Sequence, residues 1–444
     1  MDIEKIGEEL NRVRESDGLE VVSGRGHLNL LRFSNSTFHQ SVDTDLNAVY
    51  MRSRYGKKQG TATTLNLNRD ALIHALRQSE SIAKITPEDP YLPPLMESDK
   101  REYNAIDAKL EELDGKKKAE ILSDIFRSFE NYSFYGSFST YELYSTLFHS
   151  TGFVLNSAFG DAQLNLLVID DKTENSVWIQ KSFKDPSSIN IDEIKDTISK
   201  KLSFPSPITL PKGTYTVILE PVALFDLLNY FQYVAFSGQA HLDGYSPLKG
   251  RVGEKVFSSS LTLIDDPLDE SLLPVKFDAE GVPKKKTVFI ENGVFKSIAY
   301  DRKTALRANT TSTGHSASPF GHIVVTHLKM EEGKKSLGEL IEETEKGILI
   351  TRFHYINIVD MQKLVFTGMT RDGTFLIENG KLTKTLTNMR FNVSLFDAFS
   401  EENLIVGRGT SDVGMAETYE GRIPLRYRIP PVKIKNFNFI QSGK

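Results

Sequence analysis

At 444 residues and 39% hydrophobic content, the chain is long enough to bury most of its apolar surface and too long for one ordinary domain, so two domains are expected. Its 54 Lys and Arg against 59 Asp and Glu give a formal charge of −5 with both signs interspersed, which excludes the basic footprint of a phosphate-backbone binder; KKK at 116–118 and 284–286 read as solvated turns or helix starts. No cysteine is present, which excludes disulfides, cysteine-zinc sites and thiol catalysis, and no apolar run approaches the roughly 18–20 residues of a membrane span, so a cytoplasmic protein is the simplest expectation.

Ile3, Ile6, Leu10 and Val13 recur at helical spacing and predict a helix over 2–15. Short strands follow at 19–24, 27–33, 37–42, 47–55 and 60–66, separated by turn residues, and then a helix from Asn68 to about Lys84 that PEDPYLPP (87–94) breaks. The order then returns: a helix near 116–130, strands at 142–149, 152–158, 163–170 and 175–183, and a helix near 191–202. At one constant offset Phe33 falls on His149, Ala48 on Leu164 and Gly60 on Ser176, which reads as an internal duplication of a helix-plus-sheet unit. The alternative is that strand meanders followed by helices are common in α+β folds.

FPSPITLPKG (204–213) places three prolines in ten residues and reads as a linker, dividing the chain into domains at 1–203 and 214–444. YTVILEP (215–221) reads as a buried strand running into a helix over 223–236, with Leu224, Leu227, Leu228, Phe231 and Val234 as its apolar face. Beyond Arg251 the pattern is almost entirely β, including two hairpins at 286–300 and 374–386 whose Asn-Gly pairs supply the positive φ angles of a type I′ turn. One late helix is expected at 333–347. The fold class is therefore α+β: an N-terminal α/β domain with an internal duplication, followed by a mostly β C-terminal domain.

Between the strand-like runs GILITRF (347–353) and TFLIENG (374–380) lie Arg352, His354, Tyr355, Asn357, Thr367, Thr370, Arg371 and Asp372, more polar and ring side chains than a structural strand pair needs. Arg352, Arg371 and Asp372 either form an internal ion pair or grip an extended peptide added along a sheet edge. No nucleophile elbow, P-loop or dinucleotide fingerprint occurs, and GRGTSDVG (407–414) reads as a plain loop. A metal site from His315, His322, His327 and His354 is disfavoured, because His322 and His327 stand five apart in a β-like run and point to opposite faces. His315 and His354 read as polar groups in a cleft or as ordinary satisfied histidines.

TRFHYINIVD (351–360) with GMTRDGTFLIENG (368–380), and LRFSNSTFHQSV (31–42), TSTGH (311–315) and NMRF (388–391), resemble the TldD/PmbA family, long called modulator of DNA gyrase, over roughly residues 20 to 410. That family pairs a zinc peptidase chain, TldD, with a chain lacking the metal motif, PmbA or TldE. In its catalytic members an HExxxH helix and a distant Cys hold zinc, and the Glu takes the proton of the metal-bound water. Here the corresponding helix reads LLNYFQYV (227–234), with Asn229 at the first His, Tyr230 at the Glu and Val234 at the second His. The resemblance thus implies a PmbA/TldE-like subunit with no catalytic residue, metal ligand or cofactor of its own. Zinc is expected in an HExxxH-containing TldD-like partner, in a heterodimer or larger assembly, unless the chain pairs with itself. The implied substrate is an extended peptide, held by Arg352, His354, Tyr355, Thr370, Arg371, Asp372 and His315, with neither nucleic acid nor membrane as partner. A stand-alone peptide-binding homodimer and a peptidase of other chemistry are the rival readings.

Overall fold

The computed structural model describes residues 3–97, 99–104, 110–415, 422 and 424–442. After helix α1 (Ile3–Val13), strands β1 (Gly18–Ser34), β2 (Thr37–Tyr55) and β3 (Lys58–Thr64) lead into α2 (Arg69–Ile85). Strand β4 (Lys100–Asn104) and helix α3 (Gly115–Arg127) precede β5 (Tyr132–His149), β6 (Val154–Asp170), β7 (Ser176–Phe183) and α4 (Ile191–Lys201). The order helix, three strands, helix therefore occurs twice, and all seven strands share one sheet in the order β3-β2-β1-β5-β6-β4, with β7 also on β6. β1 and β5 join the two sets antiparallel from Glu20↔His149 to Phe33↔Gly136. Each set has its own apolar cluster: Ile6, Leu10, Leu72 and Leu76 close one, and Ile121, Leu122, Ile194 and Ile198 the other.

The strands are longer than the sequence suggests. Arg25 and Gly26 separate two expected strands, yet β1 runs through them, with Gly24 opposite Ala48 and Gly26 opposite Leu46. Gly26 serves close packing, since a Cβ there would meet the Tyr141 hydroxyl at 2.8 Å. The expected strand pairs at 37–42 with 47–55 and at 152–158 with 163–170 likewise fuse into β2 and β6.

The C-terminal part starts with β8 (Gly213–Leu219) and α5 (Pro221–Ala235). Strands β9 (Leu263–Asp265), β10 (Thr287–Glu291), β11 (Val294–Phe295), β12 (Leu328–Met330), β13 (Lys335–Ser336), β14 (Lys346–Asp360), β15 (Val365–Glu378) and β16 (Lys381–Thr385) follow. β17 (Met389–Ser394), β18 (Leu404–Arg408), β19 (Ser411–Gly414), β20 (Arg426–Ile429) and β21 (Val432–Ser442) complete the order. One sheet runs β11-β10-β9-β12-β20-β19. In the other, pairing passes from β8 to β14, β15, β17 and β21 and returns from β21 to β8, a closed circuit. Leu224, Leu227, Leu228, Phe231 and Val234 of α5 are buried in the large core shared with both sheets. Both Asn-Gly hairpins turn through positive φ, at Asn292 and Gly293 and at Asn379 and Gly380. The late helix spans only Leu337–Glu342, begun by a Ser336/Glu339 capping box, because β13 and β14 claim its flanks.

Three nearly buried carboxylates hold arginines where the two parts meet. Glu20 pairs with Arg52 and Arg54, and Arg52 Nη2 also donates to the Pro319 carbonyl at 3.2 Å. Asp161 of β6 pairs with Arg422 and Arg426. Asp372 pairs with Arg352, which lies on Trp178 of β7. The 204–213 stretch is docked as well: Ile208 bridges to Leu386, and Asn175 Nδ2 donates to the Phe204 and Pro205 carbonyls.

Gly136, at φ +143°, marks where β5 admits no side chain, since a Cβ there would sit 2.0 Å from the Asn165 carbonyl oxygen. Gly136→Ala is expected to destabilise the chain by about 2 kcal/mol or more, measured as a lower denaturation midpoint at unchanged m-value.

Candidate functional site

The β14–β15 hairpin is irregular where its polar residues cluster. Its register shifts between Ile350 and Arg352, between His354 and Asn357 and between Ile358 and Asp360. Tyr355 takes φ +53° and is 71% exposed, with the His354 ring 4.2 Å from its own. A bulky side chain in left-handed geometry is an outlier. β8 pairs only with Ile348 to Ile350, so among the described residues 351–360 is laddered to β15 alone.

Asp372, at φ +49°, turns back into the molecule. Its Oδ2 lies 2.9 Å from Arg352 Nη2 and 3.6 Å from Arg371 Nε, and its Oδ1 accepts from Ser176 Oγ at 3.1 Å. Arg352 stacks 4.0 Å above the Trp178 ring. These two charges are therefore engaged with each other and with β7. Arg371 remains 43% exposed at its side chain. Burial, helped by Arg371 and Arg352, holds His354 below the usual imidazole range.

Thr370 and His315 do not join this group. Thr370 points into the core, where its Oγ1 accepts from the Met389 amide at 3.0 Å. His315 is buried elsewhere, with Nε2 3.3 Å from Asp265 Oδ2 and Nδ1 2.8 Å from Thr313 Oγ1. Burial lowers the pKa of His315 against the opposing pull of Asp265, and takes that of His327 down to about 4. The expected β-like run at His322–His327 is not a strand: His322 is exposed at φ +102° and His327 is buried. Among the described residues no three His, Asp or Glu are grouped to hold a metal, and no helix is long and apolar enough to cross a membrane.

Helix α5 carries the position where the family motif would stand. Val234 is 4% exposed within the core, Tyr230 is 40% exposed, and Asn229 Oδ1 is buried without a partner. An aliphatic, a phenol and an amide, in a chain without cysteine, do not fit zinc. One turn earlier Asp226 Oδ2 accepts from the Phe353 amide at 3.0 Å, and burial pushes its pKa up to about 7 against the smaller pull of that bond and of Arg352.

One concavity is not revealed by the sequence. A cleft of about 690 Å³ lies between the β1, β2, β5 and β6 face and C-terminal residues around 275–284 and 316–319 and at Arg422 and Pro424. Tyr141, Leu143, Phe159, Phe277, Lys284 and Arg422 are among its walls. Asp278 also lines it, accepting from the amides of Glu280, Val282 and Ser316. Burial raises Asp278 to about 6 and the neighbouring Glu280 to about 8.

Arg352→Ala is expected to cost about 3 kcal/mol by leaving the enclosed Asp372 with only the more distant, half-exposed Arg371, whereas Arg371→Ala stays within about 1 kcal/mol, both read as urea midpoints. Asp226 supplies a pH test. Its folded pKa exceeds its unfolded value, so the native state keeps a proton that the unfolded state loses. Stability from this group therefore falls as pH rises from about 4 through about 7. Asp226→Asn, which still accepts from Phe353, is expected to be about 2 kcal/mol more stable relative to wild type at pH 8 than at pH 5.

Residues 212–441 match the family model described as the PmbA/TldA metallopeptidase C-terminal domain. An uncharacterised protein of Methanocaldococcus jannaschii is 34% identical over 194 residues, covering 42% of this chain and 44% of its own. A metalloprotease of the same organism is 32% identical over 222 residues, covering 48% and 47%. The chain thus spans about half the length of the curated relatives it matches. The crystal structure of TldE from Thermococcus kodakarensis shares the fold over 99% of both chains, with TM-score 0.84 at 21% identity. With its whole C-terminal part matched by the family model and its fold shared along its length, the chain belongs to the PmbA/TldD metallopeptidase family.

Proposed function

We propose that this chain is the non-metal, TldE-like subunit of a cytoplasmic two-chain peptidase. A TldD-like partner with an HExxxH helix supplies the zinc and the water-activating Glu. This chain contributes walls to a chamber for an extended peptide. The observation that carries the reading is the helix α5 face, where Asn229, Tyr230 and core-packed Val234 replace the metal-site residues and no cysteine exists elsewhere. Two further features support it. The interdomain cleft has the size of a site for a short peptide segment, and the outer half of β14 leaves an edge open beside exposed Tyr355 and Arg371.

The chain alone is expected to retain no stoichiometric zinc after dialysis, by elemental analysis, and not to hydrolyse unstructured peptides. Mixed with an HExxxH-containing family member, it is expected to give hydrolysis that a chelator abolishes. Chelator-resistant hydrolysis by the isolated, repurified chain defeats the subunit reading. A stable homodimer that retains peptides and ignores the HExxxH chain supports the stand-alone binding protein instead.

A further inference from the structure

Among the described residues, one wall of the interdomain cleft holds more positive charge than the carboxylate paired with it balances. The side chains of Arg422 and Arg426 are each 3% exposed, and among the described residues Asp161, itself 4% exposed, is the one carboxylate within ion-pair distance of either. Arg422 Nη2 lies 2.6 Å from Asp161 Oδ1, and Arg426 Nη2 lies 3.5 Å from Oδ2. Arg422 also donates to Ser139 Oγ at 2.8 Å and to the Asp161 carbonyl at 3.1 Å, and Arg426 donates to Ser182 Oγ. The Nε of each guanidinium is buried with no partner among the described residues. Two enclosed guanidiniums on one carboxylate leave a net positive charge, and unpaired donors, in a poorly solvated place. The imbalance reaches further: Lys118, which donates to Asn29 and Thr140, is lowered to about 7, first by burial and next by Arg422.

Arg422 is the member of this group that lines the cleft, with its guanidinium 5.5 Å from the centre of the Tyr141 ring. Leu143, Leu147, Phe159, Val275 and Phe277 make the surrounding wall apolar. Asp45 and Asp278 line the same cleft and oppose a multiply charged group such as a phosphate. Of the two cations lining the cleft, Lys284 is held by Asp265 and the Gly314 carbonyl, which leaves the Arg422 charge to match one negative charge on an apolar body.

We propose that the Arg422 end of the cleft is a subsite for a single carboxylate carried by an otherwise apolar peptide. This rests on the peptide-chamber reading and adds to it a preference in substrate chemistry. The carboxylate comes either from a peptide C-terminus or from an Asp or Glu side chain.

Calorimetric titration of the full chain with three acetylated tetrapeptides tests this: Ala-Leu-Ala-Phe as the free acid, the same sequence as its C-terminal amide, and Ala-Glu-Ala-Phe amide. The free acid is expected to bind about tenfold or more tighter than the neutral amide, as a charge-assisted bond to a guanidinium provides. Equally tight binding of the Glu-containing amide assigns the subsite to any carboxylate, and weak binding of it assigns the subsite to C-termini. Arg422→Gln is expected to erase the advantage. The double variant Asp161→Asn with Arg422→Gln, which removes both charges together, serves where the single one does not fold. Equal binding of acid and neutral amide by the wild-type chain overturns the subsite and leaves the chamber intact. Retention of no peptide at all, with or without an HExxxH partner, overturns the chamber reading and the subsite with it.

Discussion

The arrangement of the molecule rests on arginines that must be neutralised away from water. Glu20, Asp161 and Asp372 each hold such a guanidinium where the seven-stranded sheet meets the C-terminal sheets. A buried arginine left alone is far costlier than a missing apolar contact, so each carboxylate fixes a spatial relation as well as a charge. The Asp372 pair joins the β14–β15 hairpin to β7, and the Asp161 pair joins β6 to the segment entering β20. The large cleft is the space spanned between such ties.

The local parts of this architecture are legible in the sequence because their causes are local. Asn292-Gly293 and Asn379-Gly380 announce tight turns, since few other pairs accept two positive φ angles. The apolar face of α5 is visible as a 3.6-residue repeat and packs as read. What fails is what neighbours decide. The break at Arg25 and Gly26 looks like a turn until Tyr141 of an adjacent strand is seen to occupy the space above Gly26. The late helix is cut to Leu337–Glu342 because β13 and β14 claim its ends.

The candidate site divides the same way. The polar density of 351–372 is readable, and the hairpin brings Arg352, His354, Tyr355, Arg371 and Asp372 together. The positions of Trp178 and Ser176, which engage Arg352 and Asp372, come from another strand and leave no local trace. The cleft is less legible still, assembled from four strands of one sheet and several separate C-terminal segments. Its best signal, a run of small residues at Gly24, Gly26, Ala48, Ser145 and Ser157, imitates ordinary turn and sheet composition.

Trp178 is the chain's one tryptophan, and it lies beneath the Arg352 guanidinium at the contact between β7 and the hairpin. Its ultraviolet emission is therefore a built-in reporter of whether that contact is made. A cation fixed over the indole shifts and quenches the excited state in a way that water does not. Movement of the hairpin against the large sheet can be followed in real time without attaching a dye.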